Sequence, residues 1–305
     1  MFFTLELLNS TILNLQNTKM FNIFSYFLVL FSCYGHLFFI SIDFSLKEDL
    51  TILSYNIRYD NPNDGENQWV FRRERIVSYI KEINPDIIGM QEVLDQQLVF
   101  LDTTLKEFSY IGVGREDGKK KGEYSPILYN YKSLTLIKTD TFWLSETPAV
   151  VSVGWDAALE RICTYALFKH NYTGQQFWVF NTHFDHIGEE ARIQSASLIY
   201  ENIKALNINN FPVIITGDFN LTPDTRPIKI LQNSFQDVLQ TMNADIDNYG
   251  TFTGFNRTTN GKNRIDYIFQ KGLKTEKANH VWLKTSAGGW ASDHHPVQAV
   301  FSFNY

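Results

Sequence analysis

Two short runs carry most of the chemistry this chain can offer. Gly217-Asp218-Phe219-Asn220 follows the apolar run 213–215, and Ser292-Asp293-His294-His295-Pro296 precedes the β-type run 297–303. Asp and Asn two apart at a strand end project to one side, so a charged acceptor and a neutral amide share a face. Asp followed by His sets a carboxylate beside an imidazole, a pair able to hold and pass a proton near neutral pH. Held in fixed poses by rigid strands at a cleft, these groups are the equipment of metal-assisted phosphate-ester hydrolysis.

Four further runs join them. Leu53-Ser54-Tyr55-Asn56-Ile57-Arg58 ends a β-type run with an amide and a guanidinium, and the run 86–93 ends another with the carboxylate of Glu92. Phe180-Asn181-Thr182-His183-Phe184-Asp185-His186 closes an apolar run, while Arg264-Ile265-Asp266-Tyr267-Ile268-Phe269 alternates with the period of a half-buried strand. Hard cations such as Mg²⁺ take oxygen donors and keep several waters. The Glu92 carboxylate and the Asn56 carboxamide therefore suffice as protein ligands once a substrate phosphate completes the shell. Taken singly, Glu92 reads as a helix N-terminal charge, Asn56 as a turn residue and 217–220 as an Asx turn. Six such runs at strand ends are what turn these readings into one site.

The elements that must position these residues are mostly strands, expected at 51–58, 86–92, 109–114, 125–130, 134–144, 162–169, 175–183, 212–218, 264–270, 279–284 and 296–303. Helices are expected at 71–83, 95–106, 189–206 and near 226–233; in 189–206, Ala196, Ile199, Ile203 and Leu206 share a face at helical spacing. Many strands with few amphipathic helices imply two sheets packed face to face, with helices outside.

In this order and with these flanks, the six runs resemble the endonuclease/exonuclease/phosphatase superfamily, the group that includes deoxyribonuclease I, from about residue 50 to about residue 303. The resemblance implies an α/β four-layer sandwich of two packed, mainly antiparallel β-sheets flanked by helices, with the active site at one edge of the paired sheets. It implies that Asp218 orients or deprotonates the attacking water and that Asn220 holds a phosphate oxygen and its partner groups. His183 would bind the phosphate and stabilise its charge, His294 would pair with Asp266, and Asp293 would share in the metal-proximal network. Whether Asp218 or His294 is the general base stays open at this level. Arg58, Arg161 and Asp185 fall on the substrate side, with Asp185 also placed to hold His183. His186 and His295 read as supporting duplicates, and His170 as part of a solvated hairpin turn. The implied cofactor is Mg²⁺, with Mn²⁺ as a substitute, and the implied reaction is in-line attack of water on a phosphate ester without a covalent intermediate. A phosphodiester is favoured, nucleic acid first, with a phospholipid, inositol phosphate or sugar phosphate as the alternative. A non-catalytic binding domain on the same scaffold is a remote reading, since it would have little need of the full set.

Composition sets the frame around this site. The 305 residues are 44% apolar and 15% aromatic, and no linker or low-complexity tract divides the chain after residue 50, which fits one large catalytic domain at 46–305. A formal charge of −6 argues against wide non-specific tracking along nucleic acid, whose affinity rests on many Lys and Arg contacts to phosphate. It does not exclude a nuclease, because a divalent cation and residues such as Arg58 and Arg161 supply local positive charge. Residues 20–42 contain no Asp, Glu, Lys or Arg. Residues 1–45 are therefore expected to be a targeting segment, signal peptide or anchor, making the protein secreted or membrane-associated; the alternative is a buried N-terminal helix in a cytoplasmic protein. With only Cys33 and Cys163 in the chain, no disulfide is expected inside the domain. A monomer with no stable protein partner is expected.

Overall fold

The computed structural model describes residues 48–242, 250–258, 261 and 263–304, together with the backbone of 26–31 and 37–42. The chain divides into two compact units, residues 1–47 and 48–305. In the first, β1 (Tyr26–Phe31) and β2 (Leu37–Ile42) pair antiparallel; the rest of the expected targeting segment lies outside the described residues. No helix among the described residues is long and apolar enough to cross a membrane.

The second unit runs β3 (Leu50–Asn56), α1 (Trp69–Ile83), β4 (Ile87–Gln91), α2 (Asp95–Thr104), β5 (Phe108–Ile111), β6 (Ile127–Asn130), β7 (Leu134–Trp143), β8 (Ile162–His170) and β9 (Gln176–His183). It continues through α3 (Glu189–Leu206), β10 (Val213–Asp218), α4 (Arg226–Gln232), β11 (Gln236–Asp237), α5 (Val238–Met242), β12 (Asp266–Lys271), β13 (Leu273–His280) and β14 (Val297–Phe303). These strands form two six-stranded sheets, ordered β13-β14-β3-β4-β6-β5 and β11-β12-β10-β9-β8-β7. Each sheet is antiparallel except for one pair, β3 with β4 and β9 with β10. A parallel pair needs a crossover, and α1 and α3 supply the two. The C-terminal ends of these four strands therefore open onto one edge, where loops are free to carry function.

Alternation along the strands builds the layers. Leu50 and Ile52 join Ile87, Phe177, Val179, Ile214, Ile268 and Phe301 in the apolar layer between the sheets. Leu53 and Tyr55, on the opposite face of β3, pack with Ile76 and Ile80 of α1 and Leu98 of α2. Phe180, Ile215 and Phe269 pack on the other flank with Ala196 and Ile199 of α3 and Ile228 of α4. Helix, sheet, sheet and helix thus bury three apolar interfaces, the four-layer sandwich expected.

The face between the sheets changes character toward the open edge. On β3 the inward sequence runs Leu50, Ile52, Ser54, Asn56; on β4, Ile87, Gly89, Gln91; on β9, Phe177, Val179, Asn181, His183; on β10, Ile214, Thr216, Asp218. Polar residues there bond across the gap. Asn181 Nδ2 donates to the Met90 and Pro126 carbonyls at 2.7 and 2.9 Å, its Oδ1 accepts from Gln91 Nε2 and Thr216 Oγ1 at 2.7 and 2.9 Å, and Gly217 N donates to Ser54 Oγ at 3.0 Å. Such a seam is tolerable in a buried interface because most of its donors and acceptors are matched, Gln91 Oε1 being an exception. The sheets approach so closely that a Cβ on Gly89 would lie 2.0 Å from Thr216 Oγ1 and 2.6 Å from Asn181 Oδ1. Gly89→Ala is therefore expected to cost at least ~1–3 kcal/mol through overpacking. In a thermal melt that is a fall of about 2–4 °C per kcal/mol; an unchanged melting temperature would contradict the seam.

Three expectations are corrected. The strand expected at 279–284 lies earlier, at Leu273–His280, because an edge strand carries polar residues on its open side and its apolar signal is weak. The strand expected at 109–114 stops at Ile111, ahead of Gly112 at φ 124°. His170, expected in a solvated turn, is fully buried at the end of β8, with its ring 5.6 Å from that of Phe303 and Nδ1 3.0 Å from Thr173 Oγ1.

Candidate active site

Register brings the site together. Asp218 at the end of β10 stands directly opposite His183 of β9 on one side and Asp266 of β12 on the other. Beyond the strand ends the chain turns sharply through residues in the left-handed region, Arg58 (φ 59°), Glu92 (φ 59°) and Asn220 (φ 53°). Side chains other than Gly seldom adopt this conformation, and it concentrates at functional sites. All three line a cavity of about 590 Å³, together with Tyr59, Glu123, Arg161, His183, Asp218, Asp293 and His294.

Asn56 is the hub of its floor. Nδ2 lies 3.0 Å from Glu92 Oε1, 2.9 Å from Asp218 Oδ2 and 3.5 Å from His294 Nε2, while Oδ1 accepts the Arg58 N–H at 3.0 Å. Expected to ligate through its carboxamide oxygen, Asn56 instead presents nitrogen to the two carboxylates. Two acceptors held this close require a donor between them. Glu92 Oε2 accepts the Tyr59 N–H at 3.1 Å, which fixes its carboxylate from the other side.

The charges around Asp218 are polarised. Burial and the nearby Asp266 push the Asp218 carboxyl up to about 7. His294 Nδ1 lies 2.9 Å from Asp266 Oδ2, as expected of that pair, and Nε2 lies 3.7 Å from Asp218 Oδ2. Burial alone would lower His294, but Asp266 and Asp218 outweigh it and hold the imidazolium well above its ordinary range. His183 goes the other way: burial, reinforced by the Arg161 and Arg115 charges, holds it well below the ordinary value, so it is neutral. Asn220 Nδ2 lies 3.0 Å from His183 Nε2 and 3.0 Å from the Phe184 carbonyl, and Asn220 N donates to Asp218 Oδ1 at 2.9 Å. An amide N–H₂ donating to Nε2 assigns the ring proton to Nδ1. His183 thus has a hydrogen bond to offer from Nδ1, and Asn220 bonds both His183 and Asp218.

Asp293 faces Arg58, with Oδ2 3.9 Å from Nε, and burial pushes its carboxyl up. Arg58 is held by two 3.0 Å bonds to Asp64, which pins the rim loop 59–68 beside the cavity. Arg161 Nε bonds Asp185 Oδ2 at 3.3 Å and Nη2 lies 3.1 Å from His186 Nδ1. Asp185 neither lines the cavity nor touches His183, contrary to expectation. Its oxygens are taken by the N–H groups of Ile187 (2.9 Å), Gly188 (2.8 Å) and Ala158 (3.2 Å), so it clamps two loops and aims Arg161. Despite burial, which raises it, those N–H groups and Arg161 hold its carboxyl down at about 2.

Sequence reasoning missed Glu123 and Arg115. They form a bidentate pair at 2.9 and 3.0 Å, and Glu123 Oε2 lies 3.8 Å from His183 Nδ1. The intervening run Glu116-Asp117-Gly118-Lys119-Lys120-Lys121-Gly122 looks like a solvated surface turn. The only signal was its pair of glycines, which at φ 67° and 79° fold the chain back on itself and bring residues 115 and 123 together.

One atom each from Glu92, Asp218 and His294 lies within 4.8 Å of the others. A protonated His294 has no lone pair to give, which leaves the carboxylate oxygens of Glu92 and Asp218, with the Asn56 carboxamide between them. That is a hard donor set, and a buried Asp218 pushed up by its negative neighbour is a place where added positive charge is stabilising. The residues fit a hard divalent cation.

Residues 53–294 match the Endonuclease/Exonuclease/phosphatase family, and the chain belongs to it. It is accordingly a phosphoesterase hydrolase, on a fold shared with nucleases and phosphatases. The chain is similar to an endonuclease/exonuclease/phosphatase from Bacteroides vulgatus, with TM-score 0.78 and 38% identity over 84% of this chain and 99% of that one. It is also similar to the mannosyl-6-phosphatase of Bacteroides thetaiotaomicron, with TM-score 0.77 and 36% identity over 83% of this chain and all of that one. Protein L388 of Acanthamoeba polyphaga mimivirus is 30% identical over 185 residues, 58% of this chain and 68% of that protein.

Proposed function

We propose that this enzyme is a divalent-metal-dependent phosphatase acting on small, hydroxyl-bearing phosphate monoesters of the sugar phosphate class. The observation that carries this reading is the cavity. Its volume of about 590 Å³ is of small-molecule size, and the wall that carries Glu123, Arg161 and Leu159 sets an acid with a base instead of a run of basic side chains. The net charge of −6 and the likeness to a mannosyl-6-phosphatase support the same reading. A polynucleotide, favoured on sequence grounds, would need a run of phosphate contacts that this wall does not offer.

Glu92 and Asp218, with Asn56 between them, would hold a Mg²⁺ or Mn²⁺ ion. Bound there, it supplies Lewis-acid polarisation of a phosphoryl oxygen. Asp218 Oδ2 faces the cavity among Asn56, His183 and His294, and takes the proton of the attacking water. His294, kept protonated by Asp266, donates through Nε2 to a phosphoryl oxygen. His183 donates through Nδ1, and Asn220 keeps that tautomer.

A substrate panel tests the assignment: hexose 6-phosphates, p-nitrophenyl phosphate, bis(p-nitrophenyl) phosphate, and single- and double-stranded oligonucleotides, each with Mg²⁺. The best sugar phosphate is expected to exceed every oligonucleotide in kcat/KM by at least ~10-fold, about 1.4 kcal/mol of transition-state binding. Oligonucleotides ahead of all the monoesters would restore the nuclease reading. Absence of turnover on any ester would favour a binding domain.

A further inference from the structure

Beyond the reacting centre, one wall of the cavity has no part in the mechanism. Glu123 is fixed by its two bonds to Arg115, whose own carbonyl accepts Trp143 Nε1 at 2.8 Å, so the carboxylate is held from behind. A carboxylate has about four acceptor sites, and Arg115 occupies two. Arg161, 4% exposed, has Nε on Asp185 and Nη2 on His186, while Nη1 has no hydrogen-bond partner among the described residues. His183, 8% exposed, likewise leaves Nδ1 unpartnered on the side facing Glu123. The wall therefore offers a strong, partly exposed acceptor and a guanidinium whose one unpartnered nitrogen is buried.

We infer that Glu123 and Arg161 read the alcohol portion of the substrate through its hydroxyl groups. This rests on the sugar phosphate reading above. A hydroxyl both donates and accepts, so one sugar hydroxyl can give its proton to Glu123 while a lone pair receives Arg161 Nη1. A second phosphate suits the guanidinium but meets the carboxylate, and an apolar leaving group leaves Arg161 Nη1 without a partner and the spare acceptor sites of Glu123 unused. Sites built to bond a hydroxyl reject analogues lacking it far more sharply than apolar pockets reject an extra methylene. Glu123 stands one imidazole ring from Asp218, since His183 Nε2 is 3.5 Å from Asp218 Oδ2 and Nδ1 is 3.8 Å from Glu123 Oε2. That is the region next to the transferring phosphate, where an ester's alcohol must lie.

The test compares wild type, Glu123→Gln and Glu123→Asp on the preferred hexose phosphate and on p-nitrophenyl phosphate, with melting temperatures recorded. The quantity read is the ratio of kcat/KM between the two substrates. Charge-assisted hydrogen bonds contribute about 1.5–3 kcal/mol, so Glu123→Gln should lower that ratio ~10- to 100-fold, mainly through the sugar phosphate KM. Glu123→Asp keeps the charge but withdraws it by a methylene, and the ratio should fall there too; it decides the matter if the Gln variant melts early. An unchanged ratio in both, whether activity is intact or lost equally on the two substrates, overturns the proposal while the phosphatase reading stands. A wild type with no preference for the hexose phosphate removes the reading beneath it, and this proposal with it.

Discussion

Glu92→Gln is expected to lower kcat about 10³-fold at low Mg²⁺, the scale seen when one preorganised electrostatic stabiliser is removed. Raising Mg²⁺ should recover part of the loss, because the substitution weakens ion affinity and leaves Asp218 in place. The fold should survive: the Glu92 carboxylate bonds Asn56 Nδ2 and Tyr59 N and pairs with Arg58 Nη1 at 3.8 Å, and Gln keeps one oxygen able to accept from one of them. Circular dichroism, with kcat measured across a Mg²⁺ titration, separates the two effects. Full activity after exhaustive chelation would remove the metal from the mechanism altogether.

His294→Ala should cost about 10²- to 10⁴-fold, the range for a positioned proton donor or acceptor. Asp266→Asn probes the same ring through its partner. Without the Asp266 charge His294 loses its main stabilising neighbour, so its folded-state pKa falls and the alkaline limb of the pH–rate profile moves to lower pH. His186→Ala and His295→Ala should cost far less, since His186 contacts Arg161 at the margin and His295 stacks edge-on against Trp290 at 4.7 Å. Equal losses at all three histidines would show that the proton sits elsewhere.

Much of this site could be read from the chain because its groups sit at strand ends, where period-two alternation announces the strand and the final polar residue announces its function. The grading from Leu50 to Asn56, or from Phe177 to His183, is a linear signal: apolar inward positions give way to polar ones in step. Contacts made by the return of a loop left no such trace. Glu123 and Arg115 meet across a lysine-rich turn, and Asp185 turns back to clamp residues 187 and 188 instead of facing the cavity. The side of the Asn56 amide that faces Glu92 is set by the Arg58 N–H, a backbone group that periodicity says nothing about. His170 shows the same limit, since the burial of a strand end depends on Phe303, far along the chain.

The left-handed backbone at Glu92 also bears on how the enzyme can be improved. A non-glycine residue at such a φ costs on the order of 1–3 kcal/mol, and glycine would relieve most of it. Variants screened only for heat resistance should thus accumulate Gly at position 92 and arrive as durable, inert proteins. Screening for turnover retains the carboxylate and the lower melting point together. Any search for a hardier version of this enzyme must therefore hold position 92 fixed and seek its gains elsewhere.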